Sequence, residues 1–170
     1  MEEKEIVITG FARTPMGSFQ GCLSTESATS LGSVAIKGAL CKADIKGENV
    51  DDVIMGCVLP AGLGQAPARQ SAIGAGIPNS AGATTINKMC GSGMRAAMIA
   101  NDQLIAGSSK VSIAGGIESM SNTPYVLPKV RTGLRMGHGD VKDHMFLDGL
   151  EDAYEPGRLM GSYAEATAQA

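Results

Sequence analysis

Ile86-Asn87-Lys88-Met89-Cys90-Gly91-Ser92-Gly93-Met94-Arg95-Ala96-Ala97-Met98 joins two different kinds of chain. Before it, residues 83–88 form a strand-like run of apolar and β-branched side chains; after it, small residues open a helical pattern. Cys90 falls on the sharp turn between them. A strand–turn–helix elbow lifts a nucleophile out of a sheet and sets it beside helix-start N–H groups that can meet negative charge. A thiol in such a place is biased towards its reactive thiolate form. Cys90 is therefore the candidate nucleophile.

Working outward, strands and helices alternate. Residues 6–10 read as a short apolar strand, 25–42 as a helix, and 52–59 as a buried strand. Residues 65–76 read as an alanine-rich helix opened by the Gly62-Leu63-Gly64 turn. Then come the strand at 83–88, a helix over 92–106 closed by Gly107, and a glycine-terminated strand over 111–116. This βαβαβαβ order predicts an α/β fold with a mostly parallel sheet covered by helices on both faces. The character changes after Glu118. Residues 119–149 show no sustained period, and a helix begins again near Gly157. The expected organisation is one domain over residues 1–120 and a second unit over 121–170.

Composition narrows the function classes. The chain has 170 residues, a net charge of −3 and 23 glycines, about twice the usual frequency of glycine. Neither disorder nor a nucleic-acid partner is indicated. No apolar run approaches the roughly 20 residues needed to span a bilayer. The acidic start, Met1-Glu2-Glu3-Lys4-Glu5, runs straight into a strand and is no secretory signal. A cytoplasmic location is the expectation. Cys22, Cys41 and Cys57 form no Cys-x-x-Cys pair, and His138 and His144 lie far from every cysteine, so neither a disulfide framework nor a zinc site is expected. Those three cysteines read as small, mostly buried thiols. His138 and His144 read as solvated or locally bonded loop residues. Gly62-x-Gly64 is too short for a nucleotide fingerprint.

The residues from Asn87 to Ala96 resemble the nucleophile motif of thiolases, in particular of acetyl-CoA acetyltransferases. Arg13-Thr14-Pro15-Met16-Gly17-Ser18-Phe19 resembles the N-terminal signature of that family, and Gly64-Gln65-Ala66-Pro67-Ala68-Arg69-Gln70 its second helix start. Gly115-Gly116-Ile117-Glu118-Ser119-Met120-Ser121 and Met160-Gly161-Ser162-Tyr163-Ala164-Glu165 resemble the entry to, and part of, its inserted loop domain. The motifs stand in family order along the whole chain.

The resemblance implies acyl transfer in two halves. A cysteine, here Cys90, takes an acyl group from acyl-CoA, and a deprotonated acetyl-CoA then attacks the acyl-enzyme to give a 3-ketoacyl-CoA. It implies no resident cofactor and no metal, coenzyme A thioesters being substrates. Met160 is implied beside the pantetheine arm. Some acetoacetyl-CoA thiolases carry a histidine before this Met-Gly pair, where this chain has Leu159. The cationic loop, Lys129, Arg131 and Arg135, is implied either to attract CoA phosphates or to pack at a subunit contact; a solvated loop face is the alternative. The family also implies a homo-dimer, built through the edge near residues 84–86, or a tetramer.

The family's remaining catalytic groups, a histidine in Gly-His-Pro and a cysteine in Cys-x-Gly, do not occur in the 170 residues. A helix N-terminus stabilises an anion by about 0.3–1 kcal/mol, up to ~2. One pKa unit corresponds to about 1.36 kcal/mol, so a helix start alone activates a thiol only partly. The chain is thus expected to act with the missing C-terminal half. Two alternatives are a truncated or split chain that works only with a partner, and a condensing enzyme of the ketoacyl-synthase type.

Overall fold

A computed structural model describes residues 5–170. They fall into two compact units divided between Asn122 and Thr123.

The first unit is built on β1 (Asp52–Gly56), with β2 (Gly82–Ile86) and β3 (Ser112–Gly116) on either side, all parallel in the order β2-β1-β3. The register is even: Asp52 stands opposite Gly82 and Ser112, and Gly56 opposite Ile86 and Gly116. All three strands therefore end at one level.

Side chains alternate across a strand, and β1 uses both faces. Val53, Met55 and Cys57 pack into one core with Ala28 and Ile36 of α1 (Ala28–Ala43) and Ala68 and Ala72 of α2 (Pro67–Gly74). Ile54 points the other way, against Ala96 and Ala100 of α3 (Ser92–Ala106). Helices thus cover both faces, as parallel pairing requires. Small residues let them close in. A Cβ on Gly32 of α1 would stand 2.5 Å from Ile117 Cγ2 and 2.7 Å from Ser71 Oγ of α2. Local signals mark the helix ends: Ser27 Oγ accepts the Ser30 N–H at 3.1 Å to cap α1, and Gly107 ends α3 at φ 78°.

Two expectations need correction. Residues 6–10 join no ladder of this sheet, and Val7 and Ile8 are exposed. An apolar β-branched run sets a tendency, but a strand also needs a neighbour to bond to. Of the three other cysteines only Cys57 is buried, by the alternation of β1; Cys22, in the turns before α1, and Cys41, on the outer side of α1, are exposed. All four cysteines are free thiols.

The second unit pairs β4 (Tyr125–Val126) antiparallel with β5 (Lys142–Asp143). A π-helical turn over Phe146–Leu150 follows, and then α4 (Met160–Ala168). Arg158 ties the approach to α4 by an ion pair to Glu155 at 2.6 Å and by lying 3.9 Å over the Tyr163 ring. No helix among the described residues is long and apolar enough to cross a membrane.

Candidate active site

The elbow lies at the carboxyl end of the sheet, where open parallel sheets place ligands. β2 ends at Ile86, α3 begins at Ser92, and five residues make the turn. Met89 adopts φ 49°, a left-handed conformation that costs a non-glycine residue about 1–2 kcal/mol. The Ser92 side chain closes the turn: its Oγ accepts the Lys88 N–H at 2.8 Å and donates to the Met89 carbonyl at 2.5 Å. Ser92 is 4% exposed, so these bonds are shielded from water. Cys90 projects beyond them and is exposed. No side chain caps α3, whose first-turn N–H groups face the elbow.

Glycines bring the helix start onto the strand ends. A Cβ on Gly56 would stand 2.5 Å from Ser92 Cβ and 2.6 Å from its carbonyl carbon, and one on Gly93 would stand 3.6 Å from the Gly115 and Gly116 backbone. Above them opens a cleft of about 710 Å³, lined among others by Arg13, Gly56, Met89, Cys90, Gly116 and Glu118. Its lining belongs entirely to the first unit.

Glu118, just past β3, straps the strand ends. Its Oε2 accepts the Val58 N–H at 2.9 Å and its Oε1 the Leu59 N–H at 3.0 Å. The Cys57 thiol also donates to Oε1, at 3.6 Å. Burial, and then the Glu118 charge and hydrogen bond, push the Cys57 pKa up to about 12. Cys57 therefore stays a thiol near neutrality and is no competing nucleophile. Neither Glu118 nor Asn87 stood out as a site residue from sequence. An acidic residue two positions after a glycine-terminated strand, and an amide between a strand and an elbow, were the available signals.

The other candidates lie in the second unit. Met160 opens α4 and is 38% exposed, and Arg135 is exposed, as are Lys129 and Arg131. His138 is exposed, whereas His144 is buried and its Nδ1–H donates to Asp148 Oδ2 at 2.5 Å. No group of three His, Cys, Asp or Glu side chains able to hold a metal occurs among the described residues.

A parallel α/β sheet carrying a cysteine elbow at its carboxyl end defines a class of covalent-nucleophile folds. Residues 6–170 match the thiolase N-terminal domain family, and the chain belongs to it. It is 48% identical over 169 residues to an acetyl-CoA acetyltransferase of Schizosaccharomyces pombe, covering 99% of this chain and 42% of that protein. It is 52% identical over 166 residues to acetyl-CoA acetyltransferase 2 of Arabidopsis thaliana (98% and 41%). A cytosolic acetyl-CoA acetyltransferase of Gibberella zeae is 49% identical over 160 residues (94% and 40%). The chain thus spans about two-fifths of the length of these curated relatives. The family match sets aside the ketoacyl-synthase reading.

Proposed function

We propose that the protein carrying this chain is an acetyl-CoA C-acetyltransferase and that Cys90 is its covalent nucleophile. The observation that carries the reading is the elbow itself: an exposed thiol on a strained turn, at the uncapped start of α3 and at the carboxyl end of a parallel sheet. Relatives of about 50% identity bear that activity in their names.

The Cys90 sulfur attacks the carbonyl carbon of acetyl-CoA. The tetrahedral intermediate collapses with loss of the CoA thiolate, leaving an acetyl thioester on Cys90. The Cys90 N–H, at the start of α3, stabilises the intermediate's oxyanion. A second acetyl-CoA, having lost a methyl proton to a base, attacks the acetyl carbon. The new C–C bond gives acetoacetyl-CoA and returns the Cys90 thiolate; the reverse direction is thiolytic cleavage. That base, and the group that takes the Cys90 proton, come from the part of the protein outside these 170 residues.

Residues 121–170 begin the inserted loop domain in this reading. There Met160 lines the pantetheine arm and Arg135 lies with the cationic residues that attract CoA phosphates. Coenzyme A thioesters are substrates, and no resident cofactor or metal takes part. Met94, Met98 and Ile105, all exposed on one side of α3, give the C-terminal half an apolar surface to cover. The whole protein assembles as a homo-dimer or tetramer. Relatives are named for both the cytosol and the mitochondrion, and the cytoplasm is proposed here on the sequence.

The test is to incubate the complete gene product with acetyl-CoA and to map acetyl adducts by peptide mass spectrometry. Cys90 carries the acetyl group, and Cys90→Ser lowers turnover by roughly 10⁴-fold or more, as loss of a nucleophile does. An unlabelled Cys90 in an active enzyme overturns the reading.

A further inference from the structure

We propose that Asn87 and Glu118 are positioning residues that act together, through a relay of hydrogen bonds, to hold the Cys90 elbow in its reactive geometry. The inference rests on the acyl-transfer reading of Cys90 given above.

The relay is continuous. Glu118 fixes the segment after β1 by accepting the Val58 and Leu59 N–H groups. The Val58 carbonyl, held in place by that strap, accepts from Asn87 Nδ2 at 3.3 Å. Asn87 Oδ1 accepts the Met89 N–H at 2.9 Å. Both Asn87 partners are backbone groups of fixed polarity, one acceptor and one donor, so the amide has a single orientation that satisfies them. Met89 is the strained residue of the turn and adjoins Cys90. Two further bonds set the level of the strand ends: Cys57 N–H to the Ile86 carbonyl at 2.9 Å and Ile117 N–H to the Gly56 carbonyl at 2.8 Å. A left-handed methionine persists only where its surroundings over-determine it. Ser92 holds Met89 from the helix side, and Asn87 holds it from the strand side.

Asn87 is exposed and Glu118 half-buried. The side chain of neither donates to or accepts from Cys90, so their effect reaches the thiol through the backbone. A nucleophile displaced on its turn loses attack geometry without losing substrate affinity. The effect therefore belongs in the rate of Cys90 acetylation at saturating acetyl-CoA and leaves half-saturation unchanged.

Single-turnover acetylation of Cys90 is to be measured in the complete gene product, with Asn87→Ala, Asn87→Asp, Glu118→Gln and the double variant Asn87→Ala/Glu118→Gln. Asn87→Ala removes two exposed hydrogen bonds and slows acetylation by about tenfold, with half-saturation within about twofold. Asn87→Asp keeps the acceptor for the Met89 N–H but sets a carboxylate oxygen against the Val58 carbonyl, which cuts the relay, so it slows acetylation nearly as much as Asn87→Ala. Glu118→Gln keeps one of the two accepting oxygens and folds, and it slows acetylation by about tenfold. In the Asn87→Ala background Glu118→Gln adds less than about twofold, because the relay is already cut. Full-rate Asn87→Ala, or multiplicative losses in the double variant, overturns the relay while leaving Cys90 as the nucleophile. A wild-type Cys90 that never acquires an acetyl group overturns the acyl-transfer reading, and the relay with it.

Discussion

The two ends of the three-stranded sheet are tied by the same device and used for different things. At the amino ends, Asp51 Oδ2 accepts the Lys110 N–H at 2.7 Å and the Val111 N–H at 3.0 Å. The Asp51 main chain bonds to Val111 at 2.9 Å and to Gly82 at 2.7 Å. At the carboxyl ends, Glu118 accepts the Val58 and Leu59 N–H groups. In each case one carboxylate satisfies two loop amides that would otherwise lack partners. At the Asp51 end the bonds close on themselves. At the Glu118 end they run on through Asn87 to a turn that stores strain and presents a thiol. A strap alone makes a sheet end; a strap coupled to a strained elbow makes a candidate site.

The largest break in that comparison is expected at Gly56. An added Cβ would overlap Ser92 Cβ and its carbonyl carbon, and neither is the end of a flexible side chain. Gly56→Ala must therefore move the start of α3 off the sheet. It is expected to destabilise by more than the about 1–3 kcal/mol typical of overpacking and to abolish Cys90 acetylation. Chemical denaturation and adduct mapping check both. Next comes Ser92→Ala, which strips the hydroxyl from the Lys88 N–H and the Met89 carbonyl. A loss of about 1–3 kcal/mol is expected for leaving shielded groups unpaired, with slower acetylation. A variant as stable and as fast as wild type would show that the elbow holds its shape without Ser92.

The same contrast explains what could be read in advance. The bounds of α3 and its Gly107 cap were legible because small residues and a terminal glycine act locally. The two-faced burial of β1 followed from its unbroken apolar run, Val53-Ile54-Met55. The placement of Cys90 on the turn between β2 and α3 was legible because the elbow is a short run of consecutive residues. The straps were not. Glu118 meets Val58 across 60 residues and Asn87 meets it across 29, and no local pattern encodes such a pairing. The idle run at residues 6–10 fails for the same reason, since strand propensity cannot supply a partner. Nor does any residue preference signal that Met89 would take φ 49°; the side chains of Asn87 and Ser92 hold it there.

The smallest effect is expected at Asp51. The Lys110 N–H first, and then the Val111 N–H, hold its carboxyl below the ordinary value of 3.8. A carboxylate with a folded pKa below its unfolded one stabilises the fold only when ionised. Its contribution is complete above the unfolded value and disappears as pH falls through the lower folded value. Asp51→Asn keeps one accepting oxygen and removes the charge. Because the group is exposed and screened by solvent, Tm at pH 7 is expected to fall by no more than about 3 °C. The gap between variant and wild type should narrow as pH is lowered below about 4, where the wild-type carboxylate also takes up its proton. Thermal melts at several pH values measure this, and a gap independent of pH would show that the charge plays no part in the strap. Acetylation of Cys90 by Asp51→Asn should run at the wild-type rate. A slowed rate would mean that the amino ends of the strands are mechanically coupled to the elbow, and that the two ends of the sheet differ less than their bonding suggests.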